Sequence, residues 1–66
     1  MDWEKFALEH VGKKYRRRCM GKQETRFVSD TTLGCDVVYR FGPKYRYETT
    51  VSHDKWMEWV KEAKAI

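Results

Sequence analysis

The sequence predicts a small α+β domain, in which a short N-terminal helix, an antiparallel sheet of three to four strands and a C-terminal helix follow one another. Three observations lead to this fold class. Apolar residues recur every three or four positions near both ends of the chain, they alternate with polar residues in the middle, and isolated glycines separate the segments. We expect the C-terminal helix to pack on one sheet face, because each helix has a single apolar stripe. A small SH3-like barrel with terminal helices is the alternative arrangement.

The chain has 66 residues and is therefore expected to form one domain, spanning residues 1–66. Domains of this size have small cores, so most of the large apolar side chains must be buried for the chain to fold alone. Aromatic residues make up 15% of the sequence, and they bury more area per residue than other types. A second copy would add to so small a core, which leaves a homodimer open.

The first helix is predicted over residues 3 to 11. Counting from Trp3, the residues at i+3, i+4, i+7 and i+8 share one helical face and are mainly apolar. Asp2 is a good N-cap, and Gly12 is expected to end the helix in the C′ position. So short a helix is not stable alone in water, and its apolar stripe must therefore pack on another element.

Four strands are predicted between the helices. They cover residues 13–19, 25–30, 35–41 and 45–51, and the turns between them are rich in Gly, Asp and Thr. In the first strand, alternation places Tyr15 and Arg17 on one face. Lys14, Arg16 and Arg18 then share the other face.

The loop between the third and fourth strands is expected to be longer than two residues. Residues directly opposite one another in an antiparallel pair share a face, so two odd-numbered apolar sets must pair with an even sum. A loop of three residues pairs Phe41 with Tyr45, and a loop of five pairs Tyr39 with Tyr45. A two-residue Gly42-Pro43 turn would instead place the aromatic residues opposite the arginines.

The second helix is predicted over about residues 53 to 64. Ser52 is a strong N-cap candidate, and Trp56, Trp59 and Val60 lie on one stripe. Both helices are expected to cover the same sheet face. The predicted core consists of Trp3, Phe6, Tyr39, Tyr47, Val51, Trp56 and Trp59.

No catalytic site, metal site or cofactor is predicted. The candidate nucleophiles and ligands are Cys19, Cys35, His10 and His53, which match neither a close-pair zinc motif nor a local catalytic signature. His10 is expected to pack on the apolar stripe and His53 to face solvent. A chain of this length also has little volume for a closed pocket beside its core, so we expect the protein not to be an enzyme. The thiols are expected to be reduced, with a Cys19–Cys35 disulfide as the rival in a secreted protein.

Positive charge is concentrated in one sector of the chain. Residues 12 to 28 contain seven Lys or Arg and one acid, whereas the whole chain has a formal charge of +4. The remaining residues are therefore slightly acidic. Arg40 and Arg46 are expected to project from the sheet face away from the helices. The candidate binding residues are Lys13, Lys14, Tyr15, Arg16, Arg17, Arg18, Lys22, Arg26, Arg40 and Arg46.

Dense arginines with interleaved tyrosines favour binding to nucleic acid, either DNA or RNA. Guanidinium groups hold phosphates, and exposed rings stack on bases. The expected function is that of a small non-enzymatic nucleic-acid-binding accessory or regulatory protein.

Two alternatives to nucleic-acid binding stay open for the charged segment. The first is a protein–protein interaction module or inhibitor that docks on an acidic surface of a host protein, because Arg, Tyr and Trp are the usual anchors of such interfaces. In size and compact α+β pattern the chain resembles small proteins encoded by phages and other mobile elements. The second alternative is that the charges only solvate a sheet face or protect an edge strand from aggregation.

The sequence predicts a soluble protein of the cytoplasm with no membrane partner. No run of apolar residues approaches the roughly 18 needed to span a bilayer. The N-terminus has acids where a signal peptide has a basic and then an apolar stretch.

Overall fold

The computed structural model describes residues 3–66 and has an α+β fold, as predicted. Two helices and a five-stranded antiparallel sheet make up these residues, and the Asp2 cap lies outside them. The elements in chain order are α1 (Trp3–His10), β1 (Lys14–Cys19), β2 (Lys22–Thr31), β3 (Asp36–Phe41), a 3-10 turn (Pro43–Tyr45), β4 (Tyr47–Ser52), α2 (His53–Val60) and β5 (Ala63–Ala65).

The strands lie in the order β4-β3-β2-β1-β5. Strand β5 is one more than predicted, because α2 ends at Val60 and does not continue to residue 64. The C-terminal residues instead pair with the free edge of β1, where the backbone N–H of Ile66 donates to the carbonyl of Lys14 at 3.0 Å. The chain here forms hydrogen bonds with the backbone N–H and C=O groups on this edge of β1 in place of one further turn of helix. Since β4 and β5 lie at opposite ends, hydrogen bonds do not close the sheet into a barrel.

Both helices pack on one face of the sheet, which we call the helix face. Trp56 of α2 contacts the rings of Tyr15 and Tyr39, and Phe6 of α1 belongs to the same cluster. The buried core consists of Phe6, Tyr15, Val28, Val37, Tyr39, Trp56 and Trp59.

Most of the predicted core is buried, but Tyr47 is not. Trp3 and Val51 are partly buried against the cluster. Tyr47 is 53% exposed, because β4 is an edge strand and α2 does not reach its first residues. Tyr15, Val28 and Val37 complete the core in its place.

A β-bulge in β2 changes which residues of that strand face the helices. The register shifts between Val28 and Asp30, where one extra residue, Ser29, enters the strand. Before the bulge Val28 pairs with Tyr39, and after it Thr31 pairs with Val37. The inward-facing positions of β2 therefore change from even to odd numbers, and Val37 stays on the buried side.

The turns differ in length from the predicted ones. The first hairpin has a two-residue loop, Met20 and Gly21, both with positive φ, and Cys19 pairs with Lys22. The β3–β4 loop is longer than two residues, as expected, and spans residues 42 to 46. It pairs Phe41 with Tyr47, which has the required even sum but is neither of the two predicted registers.

Ser52 caps α2 as predicted, since its hydroxyl accepts a hydrogen bond from the backbone N–H of Lys55 at 3.4 Å. His53 does not face solvent. Its side chain is only 14% exposed, and its ring lies edge-on to Trp3 and Phe6, because the first turn of α2 lies beside α1. Within residues 3–66, no helix is both long and apolar enough to cross a membrane.

We expect Gly42→Ala to destabilise the domain more than Gly21→Ala. Both glycines have φ near +80°, so each substitution introduces backbone strain of about 1 kcal/mol. A Cβ at position 42 would also lie 2.5 Å from Cδ2 of Tyr47, whereas one at position 21 meets nothing within 4 Å. The additional loss should be about 1 to 3 kcal/mol of unfolding free energy, measured by chemical denaturation. Equal losses at the two positions would contradict the close packing of Tyr47 on Gly42.

Candidate functional site

The sheet face that neither helix covers is the candidate site, and we call it the outer face. Alternation along β1 places Lys14, Arg16 and Arg18 there, and the strand register extends the face to the neighbouring strands. One row across four strands joins Lys14 to Phe27, Phe27 to Arg40 and Arg40 to Glu48.

The cations that β1 places on the outer face lack acidic neighbours across the strands. Arg16 lies directly opposite Thr25 on one side and Lys64 on the other, and Arg18 lies opposite Gln23. Among residues 3–66, Arg16 and Arg18 form no salt bridge. Like charges directly opposite in a sheet are destabilising, so the pair of Arg16 and Lys64 weakens the fold rather than supporting it.

Arginines on the helix face have partners. Arg17 reaches Glu62 with an N···O distance of 3.2 Å. Arg26 lies between two rings, 4.4 Å from the centroid of Tyr39 and 4.2 Å from that of Trp59, and its side chain is 15% exposed. Arg26 therefore holds α2 to the sheet, and Arg17 holds the segment that follows α2.

Glu24 completes the cluster around Arg26. Its carboxylate accepts hydrogen bonds from Nε and Nη2 of Arg26 at 3.1 and 2.8 Å, and from the indole N–H of Trp59 at 3.1 Å. Burial raises the pKa of Glu24, but these hydrogen bonds and the charges of Arg26 and Arg17 outweigh it. The net result is a pKa below the usual value for glutamate.

The β3–β4 loop folds back over the outer face and places an aromatic ring there. The ring of Tyr45 lies 5.9 Å from that of Phe27, and Nζ of Lys14 is 4.8 Å from the Tyr45 centroid. Tyr45 also lines an open cleft of about 530 Å³. The lining residues of this cleft are Arg40, Pro43, Lys44, Tyr45 and Arg46.

Five of the ten predicted binding residues lie on or beside the outer face. Four of them are on strands, and Arg46 belongs to the loop that folds over the face. The strand residues are Lys14, Arg16, Arg18 and Arg40.

The other five predicted residues are placed elsewhere. Tyr15 is 8% exposed, so its ring is not free to stack on a ligand, and burial together with the nearby Glu9 raises the pKa of its hydroxyl. Arg17 and Arg26 point to the helix face because they pair in register with Glu24 and Tyr15. Lys13 precedes β1 and Lys22 is the first residue of β2, next to the hairpin loop, and both are exposed.

Four residues of the site were missing from the predicted set: Phe27, Lys44, Tyr45 and Lys64. Phe27 alternates with the buried Val28 along β2 and therefore faces away from the core. This alternation is the sequence signal that could have identified Phe27. Tyr45 was expected in a strand, and no sequence pattern indicated that it leaves the strand for a turn. Lys64 was assigned to the end of a helix that stops four residues earlier.

The remaining candidates for chemistry stay apart. Cys19 and Cys35 are exposed and free, and His10 stacks on Phe6 with 4.0 Å between ring centroids. In the described part of the chain no three His, Cys, Asp or Glu residues are close enough to hold a metal ion. A second cleft, of about 450 Å³, lies between α2 and the sheet, and its two acids offset two of its three cations. Its charged residues are Arg17, Arg26, Lys55, Glu58 and Glu62.

No protein-family model matches the chain, and neither does any curated protein or solved structure. The outer face therefore has to be interpreted from its own geometry. It is a broad, positively charged surface with two half-buried aromatic rings, and such a surface suits an extended polyanion.

The cluster of Glu24, Arg26 and Trp59 should make the stability of the domain sensitive to acid. Because the pKa of Glu24 is lowered in the folded state, its contribution is present above the ordinary glutamate pKa of about 4.3 and is lost as the pH falls through the lower folded value. We expect this contribution of Glu24 to the free energy of unfolding to be below about 1 kcal/mol, since the Glu24 side chain is 52% exposed.

The measurement is the melting temperature of the wild type and of Glu24→Gln between pH 7 and pH 3. The wild type should melt higher at pH 7, and the gap should close on acidification. A gap that stays constant over this range would show that the carboxylate is not held in its charged form.

Proposed function

We propose that the protein binds nucleic acid through the outer face, as a non-enzymatic accessory or regulatory protein. The observation that supports this proposal is the contrast between the two faces of β1. Arg17 on the helix face has an acidic partner, whereas Arg16 and Arg18 on the outer face have none among residues 3–66. A polyanion would supply the missing negative charge and could do so without breaking an existing salt bridge.

The position of β1 in the sheet argues against a purely protective role for its charges at a sheet edge. Strand β1 pairs with β2 on one side and, at residues 15 to 17, with β5 on the other. It is therefore an interior strand at residues 15 to 17, and edge protection does not account for Arg16 there. The unfavourable pairing of Arg16 with Lys64 fits a role in binding better than a role in stability.

Further cations extend this surface beyond β1. Lys64 continues it to the edge strand β5, and Arg40 continues it to β3 across Phe27. Arg40 is paired with Glu48 at 3.3 Å, but both side chains are about half-exposed, so this contact is weak and can exchange. Lys44 and Arg46 lie in the loop next to it.

We expect the double variant Arg16→Ala/Arg18→Ala to lose on the order of tenfold or more in affinity for nucleic acid at low salt. The slope of log affinity against log salt should fall in magnitude by about 1.4 on a single strand or about 1.8 on a duplex, because two phosphate contacts are lost. Fluorescence anisotropy with labelled oligonucleotides, from about 50 to about 200 mM salt, measures both quantities.

The matched control is Lys55→Ala/Lys61→Ala, which removes the same charge from exposed positions on the opposite side of the molecule. This control should bind nearly as well as the wild type. Equal losses in the two double variants would mean that net charge, and not the outer face, sets the affinity. If the wild type binds no nucleic acid at low salt, the proposal fails and an acidic protein surface becomes the candidate partner.

A further inference from the structure

We propose that the ligand of the outer face is single-stranded nucleic acid and that Tyr45, supported by Phe27, is its base-stacking platform. This inference rests on the proposed function and makes it more specific. Three observations support it: the width of the sheet, the place of the two rings within the charged surface, and the backbone conformation that holds Tyr45.

The width of the sheet disfavours a duplex. Five strands at a spacing of about 4.8 Å make a face about 19 Å wide, whereas the major groove of B-DNA is about 12 Å wide and admits a helix or a two-stranded ribbon. The outer face can therefore only lie against the outside of a duplex. There it would meet phosphates but no base faces, because these are stacked inside the helix.

The two rings lie among the cations, where unstacked bases would arrive. Phe27 lies between Lys14 and Arg40 in one row of the sheet, and Tyr45 covers it from the loop. Both rings are half-buried, so each presents part of its surface to solvent. The cleft beside Tyr45, at about 530 Å³, is within the range of about 300 to 1,000 Å³ of small-molecule sites.

The charges on either side of these rings suit a chain of phosphates. Lys14, Arg16 and Lys64 lie toward one edge of the sheet. Arg40, with the loop cations, lies toward the other edge. Aromatic rings between two sets of cations are the arrangement by which single-strand binding proteins hold bases and backbone together. A patch of this size would occupy about four nucleotides.

The backbone of the loop is strained at Tyr45 and at the residue before it. Lys44 and Tyr45 have φ of 56° and 54°, the left-handed region that residues with a Cβ adopt at a cost. Strain of this kind is concentrated at binding sites, where the side chain's position compensates for it.

The ammonium group of Lys14 can exchange between the Tyr45 ring and a phosphate of the ligand. Its ammonium group lies over the Tyr45 ring in the free protein, 4.8 Å from the centroid. Because the lysine stem is flexible, the ammonium can move to a phosphate while a base takes its place on the ring. The cation–π contact thereby keeps the platform covered until the ligand arrives.

The experiment compares Tyr45→Leu with Tyr47→Leu. Tyr47 is an exposed tyrosine two positions away whose ring packs on Phe41, on the other side of the sheet from Phe27, so the second variant controls for loss of a surface ring. The probes are labelled strands of about eight thymidylates or uridylates, and a DNA duplex of about 20 base pairs, which stays paired at low salt. Circular dichroism and thermal melting establish that both variants are folded.

We expect the wild type to prefer both single strands to the duplex. Tyr45→Leu should lose about 5- to 150-fold in single-strand affinity, with an unchanged salt slope, because stacking involves no counterion release. Tyr47→Leu and the ring-preserving Tyr45→Phe should stay within about twofold of the wild type. Thymidylate and uridylate strands distinguish DNA from RNA as the source of the bases.

Photochemical cross-linking of the wild-type protein tests the same contact without substitution. A strand with 4-thiouridine should cross-link to Tyr45 or Phe27, mapped with a protease other than trypsin because trypsin would cut at Lys44 and Arg46. Any one of three results would overturn the stacking platform while leaving nucleic-acid binding in place. They are equal affinity for duplex and single strands, no effect of Tyr45→Leu, and cross-links confined to the helices. A wild type that binds none of the probes would overturn both.

Discussion

Two helices of eight residues each can cover only one face of a five-stranded sheet, and this constraint determines how the molecule is arranged. The covered face buries the hydrophobic core of the domain. Trp56 and Trp59 do this on the side of α2, and Phe6 does it on the side of α1. Apart from the β3–β4 loop, whose Tyr45 covers part of Phe27, the uncovered face is left in contact with water or with a partner.

Because strand residues alternate between the two faces, the same constraint separates the charged residues of β1. Successive residues of β1 point to opposite faces, so Arg16 and Arg18 are separated from Arg17 by geometry alone. The arginines on the covered face are held by acids and aromatic rings, as Arg26 is by Glu24. Within residues 3–66, Arg16 and Arg18 on the uncovered face have no such acids, and the proposed function follows from this difference.

The sequence predicted what periodicity alone determines. It predicted both helices and the division of β1 into two faces. It also predicted the need for an even pairing sum at the β3–β4 loop. The bulge at Ser29 was not, since nothing local distinguishes it from a regular strand residue. Strand β5 depends on a distant edge of β1, and the position of Tyr45 depends on Phe27 and Lys14, so neither could be found from neighbouring residues.

Arginine side chains along β1 report most directly whether the outer face, and not the helix face, binds the ligand. In a nuclear magnetic resonance titration of the ¹⁵N-labelled protein with a short single-stranded oligonucleotide, each arginine Nε–Hε signal reports on one side chain. The account predicts alternation: the signals of Arg16 and Arg18 shift, while that of Arg17 between them does not. Shifts at Arg17 and Arg26 with Arg16 and Arg18 unmoved would contradict it.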